Sequence, residues 1–253
     1  MNSVSASVYA DSNVGNIRTK NEDNYYLNGA TSDSSGGTHI EKTNRFICAV
    51  CDGMGGEFAG EVASEIAVNT IAEYAALIEK SDYSDSSITD ALMHANSKIC
   101  EEIRNVGRDM GTTVAMLCFN NGKIVCSNIG DSRIYKLTNG IFNRISKDHT
   151  KEQLLIDAGL SVASENDKHI LTQHLGIAPE NMLIEPYIFT DTAQSGDIYL
   201  LCSDGLYDMV GENMISLILQ SEFPDKIKVD SLIQEALNNG GHDNVTVMLI
   251  HCF

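Results

Sequence analysis

The sequence predicts an α+β fold built in layers, and three observations carry that prediction. Strand-like runs are short and numerous, several follow one another across tight turns, and segments with helical spacing come in pairs at separate places in the chain. An alternating βαβ chain would instead place a helix after each strand.

The elements follow in order. Val4, Ala6, Val8 and Ala10 alternate with Ser5, Ser7 and Tyr9, the period of a strand with one buried face. Residues 46–51 form a nearly continuous apolar run that stops at Asp52-Gly53-Met54-Gly55-Gly56, so a strand is expected to deliver Asp52 into a loop. From residue 60 to about residue 80 the spacing turns helical. After a polar stretch, Ile88, Leu92, Ala95, Ile99 and Ile103 mark one face of a second helix that should pack beside the first. Residues 113–119, 123–129, 133–137 and 141–145 read as four strands of an antiparallel meander. Its turns fall at Asn120-Asn121-Gly122, Gly130-Asp131-Ser132 and Asn139-Gly140. Residues 151–158 suggest a short helix stopped by Gly159, and the weak periodicity of residues 161–186 suggests a mobile flap, spanning about 150–186 with that helix. Residues 198–203 give a buried strand running into Asp204-Gly205, two helical segments follow, and residues 244–250 give the last strand.

Composition narrows the function. A length of 253 residues with 43% hydrophobic and 21% charged residues fits one globular domain over 1–253, neither disordered nor fibrous. With 35 acidic against 17 basic side chains the net charge is -18, which disfavours binding to nucleic acid or anionic lipid. Seven cysteines cannot all pair within one chain, and they lie mostly in apolar runs, as buried thiols of a cytoplasmic protein do. Cys48 and Cys51 form a CxxC, but residues three apart on a strand face opposite sides, which argues against a zinc site. The first ten residues show no signal-peptide pattern, and no apolar run approaches membrane-spanning length.

Acidic residues at element ends carry the chemistry. Asp52, Asp204 and Asp243 stand at the ends or start of apolar runs, and Asp131 lies in a tight turn. A single Asp beside Gly is ordinarily a turn former. Gathered at one edge, however, unpaired carboxylates would repel and raise one another's pKa, a cost that divalent cations remove. An all-oxygen ligand set favours Mg²⁺ or Mn²⁺ over zinc. Between residues 11 and 23 the chain adds Arg18, whose guanidinium matches phosphate geometry, and Glu22 and Asp23 as candidate acceptors of water protons.

The ordered segments Arg18-Thr19-Lys20-Asn21-Glu22-Asp23, Asp52-Gly53-Met54-Gly55-Gly56, Gly111-Thr112-Thr113, Gly130-Asp131-Ser132-Arg133, Ser203-Asp204-Gly205-Leu206 and Gly241-His242-Asp243-Asn244 cover nearly the whole chain. In them the sequence resembles the bacterial type of the metal-dependent protein phosphatases, the PPM or type 2C serine/threonine family. The resemblance implies a four-layer αββα sandwich of two antiparallel sheets flanked by pairs of helices. It also implies that Asp52 bridges two metal ions, that the Gly53 carbonyl binds one, and that Asp204 and Asp243 complete the other. Glu22 and Asp23 would act through metal-bound water, and a weaker third ion would fall to Asp131 with Asp204 and Asp208. The implied reaction is in-line attack of a water activated by both metals on phosphoserine or phosphothreonine, with Arg18 orienting the phosphoryl group. Substrates would be phosphorylated proteins made by a serine/threonine kinase, met by a monomeric enzyme in the cytoplasm.

The sequence departs from the family in places. Met54 stands where many eukaryotic members have histidine, and Glu57 where bacterial ones often do, so the proton donor stays open. Gln173 in Leu171-Thr172-Gln173-His174-Leu175-Gly176 replaces a more usual arginine. His149 reads as a structural histidine, Cys51 as core, and Met54, Met110 and Met209 as core fillers. Two other readings are a phosphoprotein-binding module without catalysis, which the complete set of matching ligands argues against, and a two-metal phosphodiesterase. The second would more often use histidine ligands, and the acidic charge would repel its substrate.

Overall fold

The computed structural model describes residues 4–32, 37–55, 59–77, 83–161 and 164–253. The alternating start of the chain forms β1 (Ala6–Asn13), followed by β2 (Asp23–Leu27), β3 (Ala30–Thr31), β4 (Thr38–Thr43) and β5 (Arg45–Gly55). Two long helices come next, α1 (Ala59–Leu77) and α2 (Asp85–Val106). The strands β6 (Met110–Thr112), β7 (Val114–Asn120), β8 (Lys123–Ile129), β9 (Arg133–Thr138) and β10 (Ile141–Arg144) follow. After α3 (Lys151–Asp157) and a 3-10 turn over Glu165–His169 come β11 (Tyr187–Thr192) and β12 (Ile198–Cys202). The chain then forms α4 (Asp204–Tyr207), α5 (Glu212–Gln220), α6 (Asp225–Asn238) and β13 (Val245–Cys252).

The strands build two antiparallel sheets, in the orders β10-β9-β12-β13-β1-β4 and β11-β8-β7-β5-β2-β3, with β6 paired to the far end of β5. Period-2 side chains of both sheets, among them Val8, Phe46, Val50, Leu117, Tyr199 and Met248, meet between them. On the outer face of the second sheet, Ile71 of α1 and Ile88, Leu92 and Ile99 of α2 pack over Ala49 and Met116. Burial of each such aliphatic side chain contributes about 1.5–3 kcal/mol. Ile215 of α5 and Leu232 of α6 cover Leu200, Val247 and Leu249 of the first sheet in the same way. The result is the helix-sheet-sheet-helix sandwich expected. Ser84 and Ser87 close a capping box at the start of α2, and Gly107, with φ 67°, ends it in the left-handed conformation.

The structure corrects several expectations. The four strands after α2 are not one meander, because β8 lies in one sheet and β9 in the other. Gly130, with φ 92°, turns the chain between sheets instead of closing a hairpin, and so carries Asp131 to one end of the sandwich. Asp52 does not enter a loop, since β5 continues to Gly55 through pairing with β6. Three helices rather than two follow β12. The segment expected as a flap is tied down at Thr150↔Leu171 and Thr112↔Leu175. Cys48 and Cys51 face different clusters, as their spacing implies, and all seven thiols are buried and unpaired. Gly56 and Glu57 lie outside the described residues, as do the predicted end of the first helix at Lys80 and part of the polar stretch after it. No described helix is long and apolar enough to cross a membrane.

Candidate active site

Strand ends and crossovers gather the acidic side chains around a cleft of about 430 Å³, lined by Arg18, Glu22, Asp52, Gly53, Asp131, Asp204 and Asp243 together with Met54, Thr113, His169, Leu171 and His174. Asp52 comes from β5, Asp131 from the crossover between sheets and Asp204 from the first residue of α4. Asp243 comes from the turn before β13. Residues far apart in sequence thus meet because the two sheets end at one edge.

Backbone contacts fix Asp52. Its N–H donates to Thr113 Oγ1 at 3.0 Å, and its carbonyl accepts from Thr113 N–H at 2.9 Å and from Thr112 Oγ1 at 2.9 Å. Gly53 N–H donates to the Glu22 carbonyl at 3.2 Å. A Cβ at Gly53 would stand 2.1 Å from the Gly60 carbonyl oxygen, so only glycine lets the first turn of α1 approach this closely. The Gly60 backbone in turn bonds the Glu22 carboxylate. Asn244 fastens the segment that carries Arg18 and Glu22. Its amide donates to the carbonyls of Val14 at 2.9 Å and Lys20 at 2.8 Å, and its Oδ1 accepts from Glu22 N–H at 2.8 Å.

Burial and mutual repulsion dominate the electrostatics. Burial first, then neighbouring carboxylates, hold Asp52 and Asp204 well above the ordinary aspartate range. Asp131 is pushed up to about 7 by burial and by Asp148, and Asp23 to about 6 by burial, against the lowering bonds from Ser203 and Thr246. Burial also raises Glu22. Asp204 Oδ1 is buried without a hydrogen-bond partner. One ligating atom each of His169, Asp204 and Asp208 lies within 4.8 Å of the others.

Not every predicted residue stands where the sequence suggested. Arg18 donates to Asp243 Oδ2 at 2.7 Å, with both side chains partly exposed, so it is turned to a neighbouring carboxylate rather than to open space. Asp23 does not line the cleft. It lies buried opposite Asp52 on the paired strand, and its Oδ2 accepts from Ser203 Oγ at 2.6 Å and Thr246 Oγ1 at 2.7 Å. Met54 lines the cleft instead of filling the core, whereas Met110 is buried. His149 is held structurally, since its Nδ1 accepts from Gly130 N–H at 3.1 Å and burial lowers its pKa. Burial pushes the Cys51 thiol up, which removes it as a nucleophile.

Sequence reasoning missed the supports. Arg133 pairs with Asp148 at 2.7 Å and lies 3.6 Å from the centre of the Tyr207 ring, and the Tyr207 hydroxyl donates to the Asp131 carbonyl at 3.1 Å. Thr113 and Asn244 fall inside the quoted segments, which was the one signal available for them. Asp148 was marked only as the residue before His149 in an Asp-His pair that the family shares, and nothing in the pattern marked Tyr207 or Thr246.

The protein phosphatase 2C family model matches residues 26–244. Serine/threonine phosphatase stp of Listeria monocytogenes serotype 4b is 34% identical over 247 residues, covering 93% of this chain and 92% of that protein. The crystal structure of the Mycobacterium tuberculosis serine/threonine phosphatase PstP/Ppp superposes with a TM-score of 0.80 at 32% identity, covering 98% of both chains. A structure of the PstP catalytic domain in complex with two manganese ions matches with a TM-score of 0.79 at 32% identity, covering 98% of this chain and 99% of that one. Fold, ordered motifs and likeness over nearly the full length agree: the chain belongs to the protein phosphatase 2C family and is a serine/threonine phosphatase of the bacterial PPM type.

Proposed function

We propose that the chain removes phosphate from phosphoserine and phosphothreonine in cytoplasmic proteins phosphorylated by a serine/threonine kinase, acting as one monomeric catalytic domain. Asp52, the Gly53 carbonyl, Asp204 and Asp243 would hold two divalent cations, Mn²⁺ or Mg²⁺, and Asp131 with Asp204 and Asp208 a weaker third. The observation that carries this reading is the cluster of carboxylates around Asp204 Oδ1, a buried oxygen with no hydrogen-bond partner, where burial and then mutual repulsion raise the pKa of Asp52 and Asp204. Such a donor set fits hard cations, and the manganese ions of the PstP structure support the choice. When bound, the cations supply an activated water for in-line attack on phosphorus and offset the charge that builds on the phosphoryl oxygens.

The chain's own residues supply position and polarity. Arg18 exchanges Asp243 for two phosphoryl oxygens and so orients the group for in-line displacement. Asp23, held by the Ser203 and Thr246 hydroxyls opposite Asp52 on the paired strand, adds a buried negative charge beside the Asp52 carboxylate. Glu22, kept in place by the Gly60 backbone, accepts a hydrogen bond from water in the cleft. Phosphate release from a phosphothreonine peptide should require Mn²⁺ and stop on chelation, while a cyclic dinucleotide is left intact. Asp204→Asn should lower kcat by about three orders of magnitude or more. Wild-type turnover in that variant would rule out the assignment.

A further inference from the structure

His174 borders two hollows. One is the catalytic cleft. The other, of about 420 Å³, lies between the end of α2, β6 and the turn that follows Leu175, with Ile103, Met110 and Ile177 supplying apolar surface and Arg104 and Glu180 at its rim. Its walls are fixed. Thr112 exchanges both backbone hydrogen bonds with Leu175, at 3.0 and 2.9 Å. The buried Asn96 of α2 donates to the Ile177 carbonyl at 2.9 Å and accepts from Gly176 N–H at 2.7 Å. His174 Nδ1 lies 2.9 Å from the Leu175 carbonyl, and a Cβ on Gly111 would stand 2.5 Å from that same nitrogen. The ring therefore stands against Gly111 of β6, at the boundary between cleft and groove.

We propose that this groove holds the substrate polypeptide on one side of the phosphorylated residue, with an aliphatic or aromatic side chain as its anchor. The inference rests on the phosphoprotein reading above. Continuity selects the occupant: Thr112 pairs with Gly53 at the catalytic centre, and Met110 lies two residues further along the same strand. At about 3.3 Å per residue, that separation is about 7 Å, so a chain leaving the cleft reaches the groove within about two to four extended residues.

The test uses the full chain with Mn²⁺, p-nitrophenyl phosphate and a set of phosphothreonine peptides in which one leucine is moved along an alanine background on either side of the phosphoresidue. Leucine two to four positions away, on one side only, should lower KM by about fivefold through burial of its side chain. Ala178→Glu, which sets a charge in the groove wall, should abolish that gain while kcat and KM for p-nitrophenyl phosphate stay as in the wild type. Equal KM at every leucine position, or a leucine gain that survives in Ala178→Glu, would overturn the proposal. Loss of hydrolysis of both substrate kinds by the wild type would instead sink the phosphatase reading and the groove with it. The peptide scan itself depends on no variant.

Discussion

Arg18 and Asp243 form a 2.7 Å ion pair although one was expected to grip phosphate and the other a cation. Both are partly exposed, so their attraction is screened and the guanidinium can be exchanged at small cost. Arg18→Ala should therefore raise KM for phosphopeptide by about tenfold and change kcat less, because it removes binding rather than the attacking group. A fall in kcat with unchanged KM would show instead that Arg18 acts only in the transition state. Asn244 has a different role. Its side chain makes three bonds to the segment over residues 14–22, and Asn244→Ala should lower kcat/KM about tenfold by releasing Arg18 and Glu22 together, with the fold otherwise intact. Circular dichroism alongside kinetics separates that outcome from unfolding. Asp52, Asp131 and Asp204 were legible in sequence because an acid beside a glycine near an apolar run has a local pattern, and Asp243 because it stands at the start of the last apolar run. Thr246 and Tyr207 were not, since a hydroxyl aimed across the sandwich at the Asp23 carboxylate or the Asp131 carbonyl leaves no local trace.

At the scale of elements, the site depends on α1 meeting β5 without side chains between them. A methyl at Gly53 would lie 2.1 Å from a backbone oxygen of Gly60, and backbone cannot step aside as a flexible side chain can. Gly53→Ala should cost about 3 kcal/mol or more of stability, or displace the start of α1 and with it Glu22. A variant with wild-type melting and wild-type turnover would show that this contact is slack. Helices α1 and α2 and strands β7 to β9 were readable because buried faces leave strong apolar runs and periods, and β10, which has no buried residue, because the Asn139-Gly140 turn precedes it. Strands β4 and β11 were missed because their half-exposed residues show no clean alternation, and β6 because three residues are too few to show a period. The crossing from β8 to β9 was misread for a physical reason: Gly130-Asp131-Ser132 has hairpin chemistry, and only the second sheet decides where the chain goes next.

At the scale of the whole molecule, the buried carboxylates couple stability to pH and, on the proposed function, to metal. Asp131 is pushed up to about 7 and Asp23 to about 6 from an ordinary 3.8, so between these values the metal-free folded chain holds protons that the unfolded chain has released. That stability is complete below about pH 4 and is lost as pH rises through the folded values. The chelator-treated protein should thus melt at a higher temperature at pH 5 than at pH 7.5, and Mn²⁺ should raise Tm more at pH 7.5. Asp131→Asn should flatten the slope, and a metal-free Tm that climbs with pH would contradict the electrostatic account. Both follow from one claim, that the sandwich gathers distant acidic side chains to cage divalent cations. Calorimetric titration of the chelator-treated wild type and of Asp52→Asn with Mn²⁺ tests it most directly. The account predicts at least two bound ions per wild-type chain and loss of the tight pair in the folded variant. Titration curves that coincide, or a wild type that takes up no Mn²⁺ at millimolar concentration, would contradict it.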